Sequence, residues 1–183
     1  MQLIETEIPA VKVLVPKKFG DHRGFFSEVY SDKLLAGLGI TARFVQDNHS
    51  LSAEKGVVRG LHYQLPPMAQ DKLIRVVRGA IMDVAVDIRR GSPTFGKHVA
   101  CLLSAENWKQ MFVPAGFAHG FATLEPNTEV LYKVTTYYSP SHERGIRWND
   151  PTLGINWHVA EEQAVLSERD RNHPMLAEMS ELF

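Results

Sequence analysis

The sequence predicts an all-β chain, a closed or sandwiched antiparallel β fold with a few short helices, and three observations carry that prediction. Short runs of β-forming residues recur along most of the chain, bounded by Gly, Pro, Asn or Asp. The run from Ile81 to Ile88 alternates, with Met82, Val84, Val86 and Ile88 on one face, expected to be packed, and Asp83 and Asp87 on the other, expected to be polar. Helical periodicity is scarce and helices do not alternate with strands, which argues against a doubly wound α/β sheet.

In chain order the expected strands are residues 11–15, 25–30, 44–50, 57–63, 73–77, 80–88, 98–103, 110–113, 117–124 and 129–137. One helix is expected at 31–38, with Ser31 as its N-cap and Gly39 as its stop, and a second at 160–166. Neither is long enough to organise the fold. A strand through 57–64 sends neighbours to opposite faces, so Gly60, His62 and Gln64 should line one side, and the glycine beside the histidine leaves room for something to approach.

At 183 residues and 44% hydrophobic composition, the chain can bury one substantial core, so a single domain over 1–183 is expected. No repeat, low-complexity tract or Pro/Ser-rich linker marks a boundary. Twenty Lys and Arg against 21 Asp and Glu give a net charge of -1, so no global field recruits nucleic acid or an anionic membrane. An anionic ligand must be held by local arginines and lysines. The lone Cys101 excludes an intramolecular disulfide, the first residues have no basic-then-apolar leader pattern, and nothing approaches the roughly 18 apolar residues of a membrane span. The cytoplasm is the expected compartment.

The residues able to carry chemistry fall in a few segments. Arg59-Gly60-Leu61-His62 places a histidine on a strand, and by itself His62 reads more readily as a hydrogen-bonded core residue than as a functional one. Pro114-Ala115-Gly116-Phe117-Ala118-His119 resembles the second half-motif of the cupin superfamily, a turn that delivers a histidine onto the next strand. Metal-binding cupins add a His-x-His pair and a glutamate in the first half-motif. Here the matching place reads His62-Tyr63-Gln64, with Lys72 a few residues on. An ammonium does not ligate a cation, and two histidines without a carboxylate make a poor divalent site, so a cupin without a metal is expected. Lys72 alone reads as a solvated strand end, and the alternating aromatics around Tyr132 and Tyr138 read as packing.

Taken together, the segments resemble one family. The ordered set Asp21-x-Arg23-Gly24-x-Phe26, Gln46-Asp47-Asn48-His49-Ser50, Val58 to Gln64, Lys72 to Gly96, Pro114 to Phe121 and Leu131 to Glu143 is similar to the dTDP-4-dehydrorhamnose 3,5-epimerases over roughly residues 19–170. The N-terminal ten residues and the tail after Asp170 add nothing to the match. The resemblance implies a cupin-type antiparallel β-barrel (jelly roll) working as a homodimer without a cofactor. It implies a reaction on dTDP-4-dehydro-6-deoxy-α-D-glucose, inverted at C3 and C5 to dTDP-4-dehydro-β-L-rhamnose. Both carbons flank a ketone, so each can lose a proton to an enolate and regain one from the opposite face, with no redox cofactor.

Within that resemblance His62 fits the base, Asp170 holds its tautomer, Lys72 stabilises the enolate oxygen and Tyr132 is the acid on the other face. Arg23 and Arg59 fix the diphosphate in place of a phosphate-binding loop, which the chain lacks. Glu28, Gln46 and Asn48 are implied to contact the nucleotide, His119 and Glu143 the sugar or phosphates, and Tyr138 the thymine ring. Phe26, Asp47 and Glu168 complete the implied binding set, and Arg23 and Glu28 are implied to reach the neighbouring subunit's site. Tyr132 and Tyr138 share a face if their strand is regular. Ser139-Pro140 ends that strand, which puts Tyr138 at the mouth and Tyr132 deeper, about 20 Å away at roughly 3.3 Å per residue. Competing readings are a related cupin acting on one carbon only, a 3,4-ketoisomerase, a non-catalytic sugar-nucleotide-binding cupin, and a metal-dependent cupin dioxygenase.

Overall fold

The structure is a computed structural model that describes residues 1–183. Two antiparallel sheets face each other as a jelly-roll barrel. The six-stranded sheet runs β1 (Gln2–Glu5), β2 (Lys12–Val15), β10 (Gln110–Val113), β7 (Lys72–Arg78), β12 (Thr128–Val134), β5 (Gln46–Ser52). The five-stranded sheet runs β13 (Glu143–Gly145), β6 (Val58–Gln64), β11 (Phe117–Thr123), β8 (Ala80–Asp87), β9 (His98–Ser104). A separate hairpin pairs β3 (Phe19–Asp21) with β4 (Gly24–Phe26). No helix is long and apolar enough to cross a membrane.

Three apolar clusters explain the layering. One fills the barrel between the sheets, built from Val13, Ile74, Val76, Ile81, Ala85, Phe117 and Phe121 among others. A second covers the outer face of the five-stranded sheet, where Val58, Leu61, Met82, Val84 and Val86 meet Trp148, Trp157 and Leu176 from the C-terminal segment. A third, with Leu14, Leu35, Leu73 and Phe112, packs helix α1 (Asp32–Gly37) on the outside of the six-stranded sheet. Helix α1 starts as expected, with the Ser31 side chain accepting from Leu34 N. The tail after Asp170 is part of this architecture: Leu176 packs on the sheet, and Tyr63 donates from its hydroxyl to Glu181 O.

The alternation in β8 holds, but its polar face is buried as well. Both Asp83 and Asp87 have no exposed surface, because that face points into the barrel beside Ile81 and Ala85. Each carboxylate has work there. Asp87 accepts from Arg89, Ser92 and Thr94 and so ties down the turn that follows, while Asp83 meets His119.

Several boundaries differ from expectation. Of the strand expected at 25–30 only Phe25 and Phe26 are extended and paired, because the following residues leave the hairpin and lie against the main sheet, where Val29 O accepts from Gln110. The strand expected at 129–137 ends at Val134, where its partner β5 begins at Gln46 and pairing stops. The expected helix at 160–166 is only a 3-10 turn, Glu161–Gln163. The second α-helix is α2 (Glu168–Arg171), capped by Ser167, whose Oγ accepts from Asp170 N. The short strands β1, β3 and β13 were not anticipated.

The largest departure from simple alternation lies in β6. His62 pairs with His119 and Arg59 with Phe121, so β6 spends three residue steps where β11 spends two. This bulge puts Arg59 and His62 in the same phase, although they are an odd number of residues apart. It also breaks the expected common face of Gly60, His62 and Gln64. What approaches Gly60 is the neighbouring strand: a Cβ there would stand 2.5 Å from Gly120 Cα and 2.9 Å from His119 O, and φ is +132°. Gly60→Ala is therefore expected to destabilise the fold by about 2–4 kcal/mol. Thermal unfolding should show it as a drop of roughly 5–15 °C, and an unchanged Tm would mean the two strands can part at no cost.

Candidate active site

A cavity of about 150 Å³ opens between the sheets and draws residues from both. Gln46 and Asn48 enter from β5, Lys72 from β7 and Tyr132 from β12; His62 and Gln64 come from β6 and Glu143 from β13. Tyr138, in the loop after β12, also borders it and is exposed. Since β12 ends four residues before Tyr138, strand parity does not bring the two tyrosines together. The loop does so, anchored by Gln64, whose Nε2 donates to Met68 O and Tyr137 O while its Oε1 accepts from Ser139 N. Gln70, also on the cavity wall, donates to Thr136 O.

At the centre, His62 Nε2 lies 2.5 Å from Asp170 Oδ1. Asp170 is buried at the first turn of α2, and its other oxygen accepts from Ser167 Oγ at 2.8 Å. Burial works to raise this carboxyl, yet His173, His62 and Ser167 beside it outweigh burial and hold it well below the usual carboxylate range. An ionised Asp170 favours the proton on Nε2 of His62. That leaves the Nδ1 lone pair free for a substrate proton.

Lys72 reaches back toward the same strand, its Nζ donating to His62 O at 3.4 Å. Burial pulls its ammonium down to about 8, against the opposing pull of the charges on Glu143 and Asp83. Tyr132 is raised, chiefly by burial with Glu143 adding to it and Arg59 opposing, so its hydroxyl keeps its proton at neutral pH. Glu143 accepts from Tyr138 at 2.6 Å and pairs with Arg169 at 2.7 Å. Burial works to raise it, but those bonds, the Arg169 charge and His62 leave it lowered overall.

Other residues singled out from sequence take different places. His119 stands opposite His62 in the strand register, buried, with Nε2 2.7 Å from Asp83 Oδ1 and outside the cavity wall. The two cupin-like histidines are thus each held by a separate carboxylate, His62 by Asp170 and His119 by Asp83. Arg59 is exposed and bonded to Ser52 Oγ and Leu51 O near the end of β5, close enough for its charge to act on Tyr132. Asp47 faces away from Gln46 and Asn48 and pairs with Lys133, as alternation along β5 requires. Glu168 is exposed at the start of α2 and is not brought to the cavity; Arg169 beside it is the residue that reaches Glu143.

Arg23, Phe26 and Glu28 are exposed and do not border this chain's cavity. Arg23 sits at the tip of the β3–β4 hairpin, paired with Asp21. Sequence reasoning missed Gln64 and Gln70 as loop anchors, Arg169, and His173. The only available signal was the Ser167-x-x-Asp170 pattern, which marks a capped helix start with Asp170 in its first turn; His173 lies beyond the helix, past its C-cap Asn172.

A model of the family described as dTDP-4-dehydrorhamnose 3,5-epimerase matches residues 5–178. A dTDP-4-dehydrorhamnose 3,5-epimerase of Sinorhizobium fredii is 54% identical over 176 residues, covering 96% of this chain and 90% of the relative. The chain is similar to a crystal structure of dTDP-4-dehydrorhamnose 3,5-epimerase from Bacillus anthracis with TDP and PPi bound, at 53% identity and a TM-score of 0.92 over 95% of this chain and 98% of that one. It is also similar to dTDP-6-deoxy-D-glucose-3,5-epimerase from Legionella pneumophila in complex with dTDP-4-keto-L-rhamnose, at 48% identity and a TM-score of 0.93 over 98% of this chain and 94% of that one.

Proposed function

The chain belongs to the dTDP-4-dehydrorhamnose 3,5-epimerase family, and from that premise we propose how its residues divide the work of an isomerase on a cupin-type barrel. The substrate is dTDP-4-dehydro-6-deoxy-α-D-glucose, inverted at C3 and C5 to give dTDP-4-dehydro-β-L-rhamnose. His62 Nδ1 takes the C–H proton, and Asp170 offsets the imidazolium charge that results. The Lys72 ammonium stabilises the charge that develops on O4. Tyr132 returns a proton from the opposite side of the ring. The observation that carries this reading is that a carboxylate-held histidine from one sheet and a protonated tyrosine from the other border the same cavity.

The test is incubation with the 4-keto sugar nucleotide in deuterated water, with deuterium located by proton NMR. Label at both C3 and C5 of an inverted product is expected. Label at one carbon would mean a single-carbon epimerase, and no exchange at all would leave only a binding protein. Tyr132→Phe should keep part of the exchange while suppressing inversion, because the enolate still forms but is reprotonated on the face it came from. Tyr138→Phe should keep nearly all activity and Tyr138→Ala should mainly raise KM, by about 1–3 kcal/mol, as loss of a stacking surface for the base predicts. Blocked inversion in Tyr138→Phe with Tyr132→Phe intact would reverse the two roles.

We further infer a homodimer in which Arg23, Phe26 and Glu28 complete the partner's nucleotide site. Support comes from the β3–β4 hairpin, which exposes Phe19, Phe25 and Phe26 together. Arg23→Ala should weaken dTDP-sugar binding by about 1.5–3 kcal/mol. A fully active monomer at assay concentration, by light scattering, would overturn the shared site.

A further inference from the structure

His173 touches no reacting group in the chemistry above, yet it stands beside the Asp170 carboxylate that holds His62. The residue is 8% exposed, its Nε2 has no hydrogen-bond partner, and that atom lies 3.5 Å from the same Asp170 oxygen that meets His62. The two imidazole rings stand edge to face, 5.5 Å between centroids and 80° apart. The ring's place is built into the fold, because Gly145 packs directly on it and a Cβ there would collide with the ring, while His173 O accepts from Arg147 Nε at 3.1 Å. One ligating atom from each of His62, Asp170 and His173 lies within 4.8 Å of the others.

We propose that this trio is an inhibitory site for a borderline divalent cation of the zinc class, bound by Nε2 of His62, Nε2 of His173 and Oδ1 of Asp170. Two imidazoles and a carboxylate are a donor set zinc accepts, and bonds of about 2.0–2.2 Å in a tetrahedron put ligand atoms roughly 3.4 Å apart. The His173–Asp170 separation of 3.5 Å already meets that spacing. The His62–Asp170 contact must open from 2.5 Å by roughly 0.9 Å, which the half-buried His62 can do by turning into the cavity it borders. Ser167 bonds the other Asp170 oxygen and orients the carboxylate, as an outer-shell partner does, and the fourth position is left to water from the cavity.

The inhibition rests on the reading of His62 as the base. Zinc at Nε2 moves that nitrogen's proton to Nδ1, so the lone pair that would accept the substrate's proton is gone. The ion competes with catalysis rather than serving it.

Metal-stripped protein titrated with Zn²⁺ against a chromophoric zinc indicator should show one site per chain. His173→Gln should weaken that site by at least the roughly 10–100-fold that losing even a supporting group costs a metal centre, and His62→Asn should do the same. His62 borders the cavity, so its variant keeps the test intact if His173→Gln unfolds, which thermal unfolding will report. Added Zn²⁺ should stop turnover of the wild-type enzyme and chelator should restore it. Zinc binding of unchanged strength in both variants would overturn the site. Zinc bound at the trio with turnover undiminished would refute the inhibition, and it would also remove His62 as the base while leaving the epimerase reaction itself in place.

Discussion

Asparagine in place of His62 is expected to stop deuterium exchange at both C3 and C5 and to lower turnover by about 10³-fold or more, toward the upper end of what a general base contributes. His62 is the one histidine bordering the cavity and a carboxylate orients it, so on the proposed reading one base serves both carbons. Asparagine retains an amide able to bond Asp170 and fills less space, so the fold should survive while the basic nitrogen is lost. His119 is no substitute, because its own Nε2 is taken by Asp83 and it does not border the cavity. Exchange at C3 persisting near the wild-type rate would require a second base.

Lys72→Met is the other change with a large expected effect, a loss of about 10²–10³-fold in kcat/KM, or roughly 3–4 kcal/mol, with the affinity for dTDP alone almost unchanged. The lysine's role lies at charge that exists only as the enolate forms, and methionine conserves most of its volume. Equal losses in dTDP binding would show a phosphate contact instead. The same residue fixes a pH limb. Burial lowers Lys72 to about 8, and the working form is the protonated one, so kcat/KM should decline as pH rises through about 8. Lys72→Arg, which stays charged over that range, should move the decline to higher pH, and an identical profile in wild type and Lys72→Arg would remove Lys72 as its source.

Part of this site was legible in the sequence because strand periodicity is local. Gln46 and Asn48 share a face by spacing alone, and the alternation of β8 correctly separated Met82, Val84 and Val86 from Asp83 and Asp87. The parity argument failed wherever the ladder was interrupted. The Gly60 bulge rephased Arg59 with His62, and the early end of β12 left Tyr138 to be positioned by the Gln64-anchored loop rather than by its strand.

Residue types and their spacing along the chain were enough to identify an all-β fold and its apolar faces, because those depend on a few neighbouring residues, whereas the roles of His62, Lys72 and Tyr132 came only with the resemblance of the whole ordered set to one family. Which carboxylate serves which histidine was decided by the assembled sheets. His62 and Asp170 are 108 residues apart and His119 and Asp83 are 36 apart, so their pairing depends on strand order and on where the C-terminal segment folds back. The same return carries Arg169 to Glu143 and His173 to Asp170. No local pattern encodes such contacts, since they arise only when packing of the outer apolar cluster brings a distant turn against the mouth of the barrel.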